Sequence, residues 1–163
     1  MLRVFLGLGS NVGDKIKFIK SAIEEISKLD KTNLTKESSY YETEPWGLRE
    51  QDDFINSVIE ITTELEAKDL FMELKNIEKK LHRKNRGKWE QREIDIDILF
   101  YGNEVLKNET INIPHKEIEN RKFVLIPMSE IDENFIHPEK NKSIKELLKE
   151  TKDTLEVKKI TIE

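Results

Sequence analysis

Apolar residues recur along this chain with two different periods, and the places where the period changes divide it into elements. Residues 2 to 8, Leu-Arg-Val-Phe-Leu-Gly-Leu, form a short apolar run that closes at Gly9-Ser10-Asn11, which predicts a buried strand followed by a turn. Ile16, Ile19, Ile23 and Ile26 then recur at helical spacing, with Asn11 or Asp14 placed to cap. Residues 34 to 42 are rich in β-formers and alternate loosely, giving a second strand. Residues 54 to 64 give a third, with Ile55, Ile59 and Ile61 on one face and Phe54, Asn56 and Val58 on the other. Leu70, Leu74, Ile77 and Leu81 stripe a second helix over 67 to 83. In a fourth strand Ile94, Ile96 and Ile98 alternate with Asp95 and Asp97, so the isoleucines share one face and the two carboxylates the other.

The order β-α-β-β-α-β is the ferredoxin-like pattern. It predicts an α+β sandwich with an antiparallel sheet, both helices on one sheet face and the active site on the other. Parity puts Asp95, Asp97, Phe54 and Asn56 together on that second face. A C-terminal extension follows. It holds a turn at Tyr101-Gly102-Asn103, a hairpin within 105 to 113, Pro114-His115, a short polar helix containing Arg121 and the apolar run Phe123 to Pro127. Ser143 then caps a helix carrying Ile144, Leu147 and Leu148, and residues 155 to 162 add an edge strand.

Composition narrows the setting. The 163 residues show no compositional break, which predicts one domain over 1–163. There is no cysteine, so disulfides and thiolate metal sites are excluded and a cytoplasmic location is expected. The N-terminal apolar run is interrupted too soon for a signal peptide, and none approaches membrane-spanning length. A net charge of −5 argues against broad nucleic-acid binding, leaving small molecules as the expected partners of a monomeric protein. The charged fraction of 37% is mostly Lys and Glu on helix faces, a solvated surface that says nothing of chemistry.

Asp95 and Asp97 stand roughly 6 to 7 Å apart along a strand, a span suited to one or two divalent cations. A solvated Asp-x-Asp on an amphipathic edge strand is the plain alternative. Arg83, Lys84, Arg86, Lys88 and Arg92 lie just upstream, and cations beside an acidic pair are what a polyphosphate needs. Phe54 beside Asn56 is an odd pair for bare solvent, although an exposed sheet accounts for it too. Trp46, in the Pro/Gly-punctuated loop 43 to 49, reads as a lid over the core or as a ligand contact; His115 reads as a phosphate donor near Arg121 or as a lone surface histidine. Gly7, Gly9 and Gly13 imitate a dinucleotide loop, but the third glycine falls one place late and no Rossmann unit follows.

Taken in order, Gly7-Leu8-Gly9-Ser10-Asn11, Tyr41-x-Thr43-x-Pro45-x-Gly47, Phe54-x-Asn56, Glu78, Arg83, Trp89-x-x-Arg92-x-x-Asp95-x-Asp97, Pro114-His115, Arg121-x-Phe123 and Pro127 resemble the 6-hydroxymethyl-7,8-dihydropterin pyrophosphokinase family of folate biosynthesis. The resemblance runs over nearly the whole chain, and it is the ordered set that makes it specific. It implies transfer of the β,γ-pyrophosphoryl unit of ATP to the pterin hydroxymethyl group, with AMP as the other product and two Mg²⁺ ions. It further implies that Asp95 and Asp97 hold both metals, that Arg83 and Arg92 are catalytic with them, and that Glu78, Arg86, Trp89, Arg92, Ile98, His115 and Arg121 bind ATP. Phe54 and Phe123 are implied to stack on the pterin while Asn56, Thr43 and the loop around Trp46 meet its edge. The chain departs from the family where His82 replaces the usual Gly and where Trp89-Glu90-Gln91-Arg92 replaces Trp-Gly-Pro-Arg. The loop between Arg83 and Trp89 is also one residue short. A base-stacking RNA module and a metal-dependent phosphohydrolase are the rival readings; acidic balance tells against the first, and the aromatic-plus-amide pair against the second.

Overall fold

A computed structural model describes residues 1–44, 53–81 and 94–161. The central strands are β1 (Leu2–Ser10), β4 (Phe54–Thr63) and β5 (Asp95–Tyr101). Between them in sequence lie α1 (Lys15–Ser27), β2 (Thr32–Glu37), β3 (Tyr40–Thr43) and α2 (Ala67–Leu81). The sheet runs β5-β1-β4-β3 and ends on β8 (Val157–Ile160), with β2 also paired to β4 and every pairing antiparallel. This is the expected βαββαβ order.

The strand predicted over 34 to 42 is two strands laid end to end along β4. Leu34 of β2 opposes Ile61, whereas Tyr41 of β3 opposes Asn56. At the break, the Ser38 N–H donates to the Val58 carbonyl at 2.9 Å and the Val58 N–H donates to Ser38 Oγ at 2.9 Å. A serine side chain therefore satisfies an N–H that the ladder leaves unpaired.

One face of the sheet carries Val4, Leu6 and Leu8 of β1, Ile55, Ile59 and Ile61 of β4, and Ile96 and Ile98 of β5. Ile19, Ala22, Ile23 and Ile26 of α1 and Leu70, Leu74 and Ile77 of α2 close over them, the stripes that helical spacing assigns. Asp14 caps α1, its carboxylate accepting the Lys17 N–H at 3.3 Å.

The second face is shared between the extension and the site. Phe5, Val58, Leu99 and Phe100 project from it into another apolar cluster. They meet Val124, Leu125 and Met128 of α3 (Lys122–Asp132), Phe135, and Ile144 and Leu147 of α4 (Ile144–Glu150). A β-bulge makes this possible: Phe5 opposes Phe100 while Leu6 opposes Ile98, so Leu99 is an extra residue. Up to Leu99 the odd positions of β5 face the second side; beyond the bulge an even one, Phe100, does. The strand thus gives carboxylates to one end of that face and an aromatic anchor to the other. The polar helix expected around Arg121 is a 3-10 turn at Ile118–Asn120, and Arg121 follows it as the N-cap residue of α3. The expected hairpin is β6 (Leu106–Lys107) with β7 (Asn112–Ile113). Ser143 and Glu146 form a capping box on α4.

Candidate functional site

Between the sheet and the N-terminal end of α3 lies a cavity of about 600 Å³. Its floor is strand: Gly7 and Gly9 of β1, Phe54 and Asn56 of β4, Asp95 and Asp97 of β5. Its walls are Thr43 and Glu44 at the end of β3, the segment His115-Lys116-Glu117, and Asn120, Arg121 and Phe123 at the start of α3. The strand parity of β4 and β5 delivers the first group, and the C-terminal extension folds the second group against it.

Gly9 is there to make room. It lies opposite Asn56 in the β1–β4 register, and a Cβ on it would stand 2.7 Å from Asn56 Oδ1. A glycine inside a strand often marks such a close approach, and here it lets the buried amide come up against β1. Thr43 is buried, lines the cavity, and its Oγ1 has no hydrogen-bond partner among the described residues. An unsatisfied buried hydroxyl beside a buried amide is a polar edge awaiting a ligand's donors and acceptors.

The α3 wall is held at both ends. The Lys122 N–H donates to Asp153 Oδ2 at 2.9 Å at its start. Near its end the Glu130 carboxylate receives the Ser39 hydroxyl at 2.8 Å and the Tyr41 hydroxyl at 2.7 Å. Asp132 closes the last turn with a 2.7 Å ion pair to Arg3, whose Nε also donates to the buried Glu60 at 3.0 Å. Between those ties the Arg121 guanidinium carbon sits 5.5 Å from the Phe123 ring centroid, within cation–π range.

His115 is fixed from two sides: its N–H donates to the Leu99 carbonyl at 3.1 Å, and its Nδ1 accepts the Glu117 N–H at 3.2 Å. With Nδ1 an acceptor, the ring proton sits on Nε2. Burial is the main influence holding this imidazole below its ordinary pKa; Asp97 pulls upward, and Arg121 pushes further down. His115 is therefore a neutral N–H donor at neutral pH. Asp95 is half-buried and Asp97 exposed within the cavity. Among the described residues no group of three or more His, Cys, Asp or Glu could hold a metal ion. Two carboxylates lining one cavity fit magnesium, which takes one or two protein carboxylates and completes its shell from water and substrate phosphates.

The structure thus gathers Thr43, Phe54, Asn56, Asp95, Asp97, His115, Arg121 and Phe123 around one cavity. Two other expected site residues lie off it. Ile98 is packed in the core beneath α1 and α2, and the Glu78 carboxylate accepts the Ile96 N–H at 2.7 Å and the Lys75 ammonium at 3.1 Å. Trp46, Arg83, Arg86, Trp89 and Arg92 lie outside the described residues. Strand and helix spacing missed Lys116, Glu117 and Asn120 as wall residues. The Asn120 amide nitrogen donates to Glu117 Oε2 at 3.1 Å, a pairing that carries no periodic signal.

Comparison with known proteins gives the family. A family model described as 7,8-dihydro-6-hydroxymethylpterin-pyrophosphokinase (HPPK) matches residues 5–133. A protein of Aquifex aeolicus (strain VF5) named 2-amino-4-hydroxy-6-hydroxymethyldihydropteridine pyrophosphokinase is 43% identical over 146 residues, covering 90% of each chain. Its namesake from Haemophilus influenzae is 38% identical over 153 residues, covering 94% of this chain and 95% of that one. Among solved structures, an HPPK-DHPS chain in complex with substrates superposes with a TM-score of 0.70 at 15% identity, covering 91% of this chain and 43% of that one. Wild-type Plasmodium falciparum HPPK-DHPS with pteroate gives 0.73 at 13% identity, covering 91% and 44%. This chain spans less than half the length of those two solved chains, and at such identities they speak for the fold alone. The family match and the sequence relatives go further: the chain belongs to the 7,8-dihydro-6-hydroxymethylpterin pyrophosphokinase family.

Proposed function

We propose that this chain transfers the β,γ-pyrophosphoryl unit of ATP to the hydroxymethyl oxygen of 6-hydroxymethyl-7,8-dihydropterin, releasing AMP, as a magnesium-dependent step of folate biosynthesis. The observation that carries the reading is the meeting, in one cavity, of two aromatic rings and a buried polar edge with an acidic pair and cationic or neutral N–H donors. The first set suits a flat heterocycle and the second a polyphosphate. Few other substrate pairs need both side by side.

The pterin slot is formed by Phe54 and Phe123, with Asn56 and Thr43 reading the heterocycle's edge. Stacking on each aromatic face is worth about 1 to 3 kcal/mol by analogy with bases, and the amide and hydroxyl set the orientation. Asp95 and Asp97 would hold magnesium, which when bound spreads the phosphate charge and lowers the pKa of a coordinated hydroxyl. The pterin oxygen forms its bond to the β-phosphorus as the bond from that phosphorus to the AMP oxygen breaks, and the hydroxyl proton is released to solvent water. His115, through Nε2–H, and Arg121 donate to phosphate oxygens as negative charge redistributes. Arg83, Arg86 and Arg92 supply further positive charge, and Trp89 helps to cover the nucleotide. We assign this work to a single cytoplasmic domain acting as a monomer.

Incubation with ATP, Mg²⁺ and the hydroxymethyl dihydropterin, followed by identification of the nucleotide product, tests the reading. AMP formed only when pterin is present is the expected result. ADP as product, or nucleotide consumption independent of pterin, contradicts it.

A further inference from the structure

The two aspartates that face the cavity sit on β5, an edge strand that pairs, among the described residues, with β1 alone. An edge strand turns alternate N–H groups away from its single neighbour, and such groups are ordinarily left to solvent. Here the N–H of Ile96, the residue between Asp95 and Asp97, is taken by a side chain. Glu78, on the last turns of α2, reaches across the edge and accepts it through Oε2 at 2.7 Å. Its other oxygen is held by Lys75 one helical turn back, at 3.1 Å, and the side chain is only 12% exposed. The bond is charge-assisted, a class roughly twice as strong as its neutral counterpart.

From this geometry we propose that Glu78 is a positioning residue for the metal-binding pair: it fixes the pleat of β5 at Ile96 and so the direction in which Asp95 and Asp97 present their carboxylates. The inference rests on the function proposed above. The role needs no contact between Glu78 and nucleotide: it is carried by the bond from Ile96 N–H to Oε2, while Oε1 is held by Lys75. Ile96 itself is buried in the core beneath the helices, which holds that residue's side chain. The β1 ladder holds the inner side of the strand at Asp95 and Asp97, opposite Gly9 and Gly7; the hydrogen bond to Ile96 N–H holds the outer side between them, so the pleat is fixed from both edges. α2 has its own attachment through Leu70, Leu74 and Ile77, so the helix stays docked without Glu78.

The test compares Glu78→Ala, Glu78→Asp and Glu78→Gln. Alanine removes the acceptor, aspartate withdraws it by one methylene, and glutamine keeps an acceptor oxygen at the same reach without the charge. The readouts are Mn²⁺ affinity by electron paramagnetic resonance on protein loaded with a non-hydrolysable ATP analogue, the Mg²⁺ concentration giving half-maximal turnover, and the KM values for ATP and pterin. Loss of an outer partner of a metal ligand typically weakens metal binding by about 10- to 100-fold. The expected pattern is weakening at the low end of that range in Ala and Asp, recovery to within about threefold of wild type in Gln, and an unchanged pterin KM. Unaltered Mn²⁺ affinity in Ala and Asp overturns the inference. So does a Gln variant as impaired as Ala with a raised ATP KM, which would make the charge itself a nucleotide contact. If Ala fails to fold, the contrast between Asp and Gln decides the question by itself. Wild-type protein that makes no AMP with pterin would instead overturn the proposed function, while the Mn²⁺ series still reads the positioning role.

Discussion

Replacing Gly9 by alanine isolates the polar edge of the pterin slot from the rest of the site. The added Cβ would stand 2.7 Å from Asn56 Oδ1, where ordinary van der Waals contact begins at 3.4 Å, so the amide must retreat by about 0.7 Å. Asn56 is 8% exposed and cannot swing out to solvent. A retreat of that size turns an N–H···O bond of about 2.9 Å into a separation near 3.6 Å, which no longer counts as a hydrogen bond. Losing one or two such bonds to the substrate, at about 0.5 to 1.5 kcal/mol each, raises the pterin KM by roughly 2- to 150-fold. Stability falls by no more than about 2 kcal/mol, because the overpacked contact costs about 1 to 3 kcal/mol and alanine recovers about 0.5 to 1 kcal/mol of the entropy that glycine costs in a strand. The control is Gly7→Ala, whose Cβ would meet the Leu99 side chain at 3.3 Å, a methyl able to yield by tenths of an ångström. Steady-state kinetics with pterin and ATP varied separately, beside thermal melts, make the assay. A Gly9→Ala protein with a wild-type pterin KM, or one whose ATP KM rises as far as its pterin KM, refutes the reasoning.

Other perturbations probe the remaining parts. Phe123→Ala, which removes one stacking face, should weaken pterin binding by about 5- to 150-fold with a smaller effect on ATP; a larger change in the ATP KM than in the pterin KM would place the ring elsewhere. Asp97→Ala should abolish turnover and leave the melting temperature within a few degrees of wild type, since the residue is exposed and buries no apolar surface; near-normal turnover at ordinary Mg²⁺ counts against the metal assignment. His137 is buried, and its Nδ1 accepts the N–H groups of Glu139 and Lys140 at 3.1 and 3.2 Å. Burial is the chief cause holding its pKa below the ordinary value, so the unfolded chain binds the more protons as pH falls through about 6.5, and stability declines with it. His137→Asn keeps a side-chain acceptor and cannot titrate, so its melting temperature should vary less between pH 7 and pH 5.5; an equal slope in both proteins removes His137 from the account.

Much of the scaffold was legible because strand parity and helix period are local. Alternation at residues 54 to 58 and 94 to 98 was enough to put Phe54, Asn56, Asp95 and Asp97 on one sheet face, and the structure opens its cavity there. The bulge at Leu99 was not readable, since Ile98-Leu99-Phe100-Tyr101 is an unbroken apolar run and only pairing with Phe5 and Leu6 exposes the extra residue. The break at Ser38-Ser39 was hidden for a similar reason: two serines among β-formers mark an interruption only once Val58 lies beside them. The run Phe123 to Pro127 showed no period and contains a residue that breaks helices, yet it is helical because Val124, Leu125 and Met128 bury against the second face. The approach of Gly9 to Asn56 and that of Glu78 to Ile96 join residues far apart in sequence, and no spacing rule reports them.

The central claim is that a pyrophosphoryl group moves as one unit from nucleotide to pterin. ATP labelled at both the β- and γ-phosphorus positions, incubated with the protein, Mg²⁺ and 6-hydroxymethyl-7,8-dihydropterin, tests it directly. Both labels in a single pterin diphosphate, with unlabelled AMP as the co-product, is the predicted outcome. Label from the γ position alone on the pterin, or both labels released as free phosphate or pyrophosphate, contradicts the account.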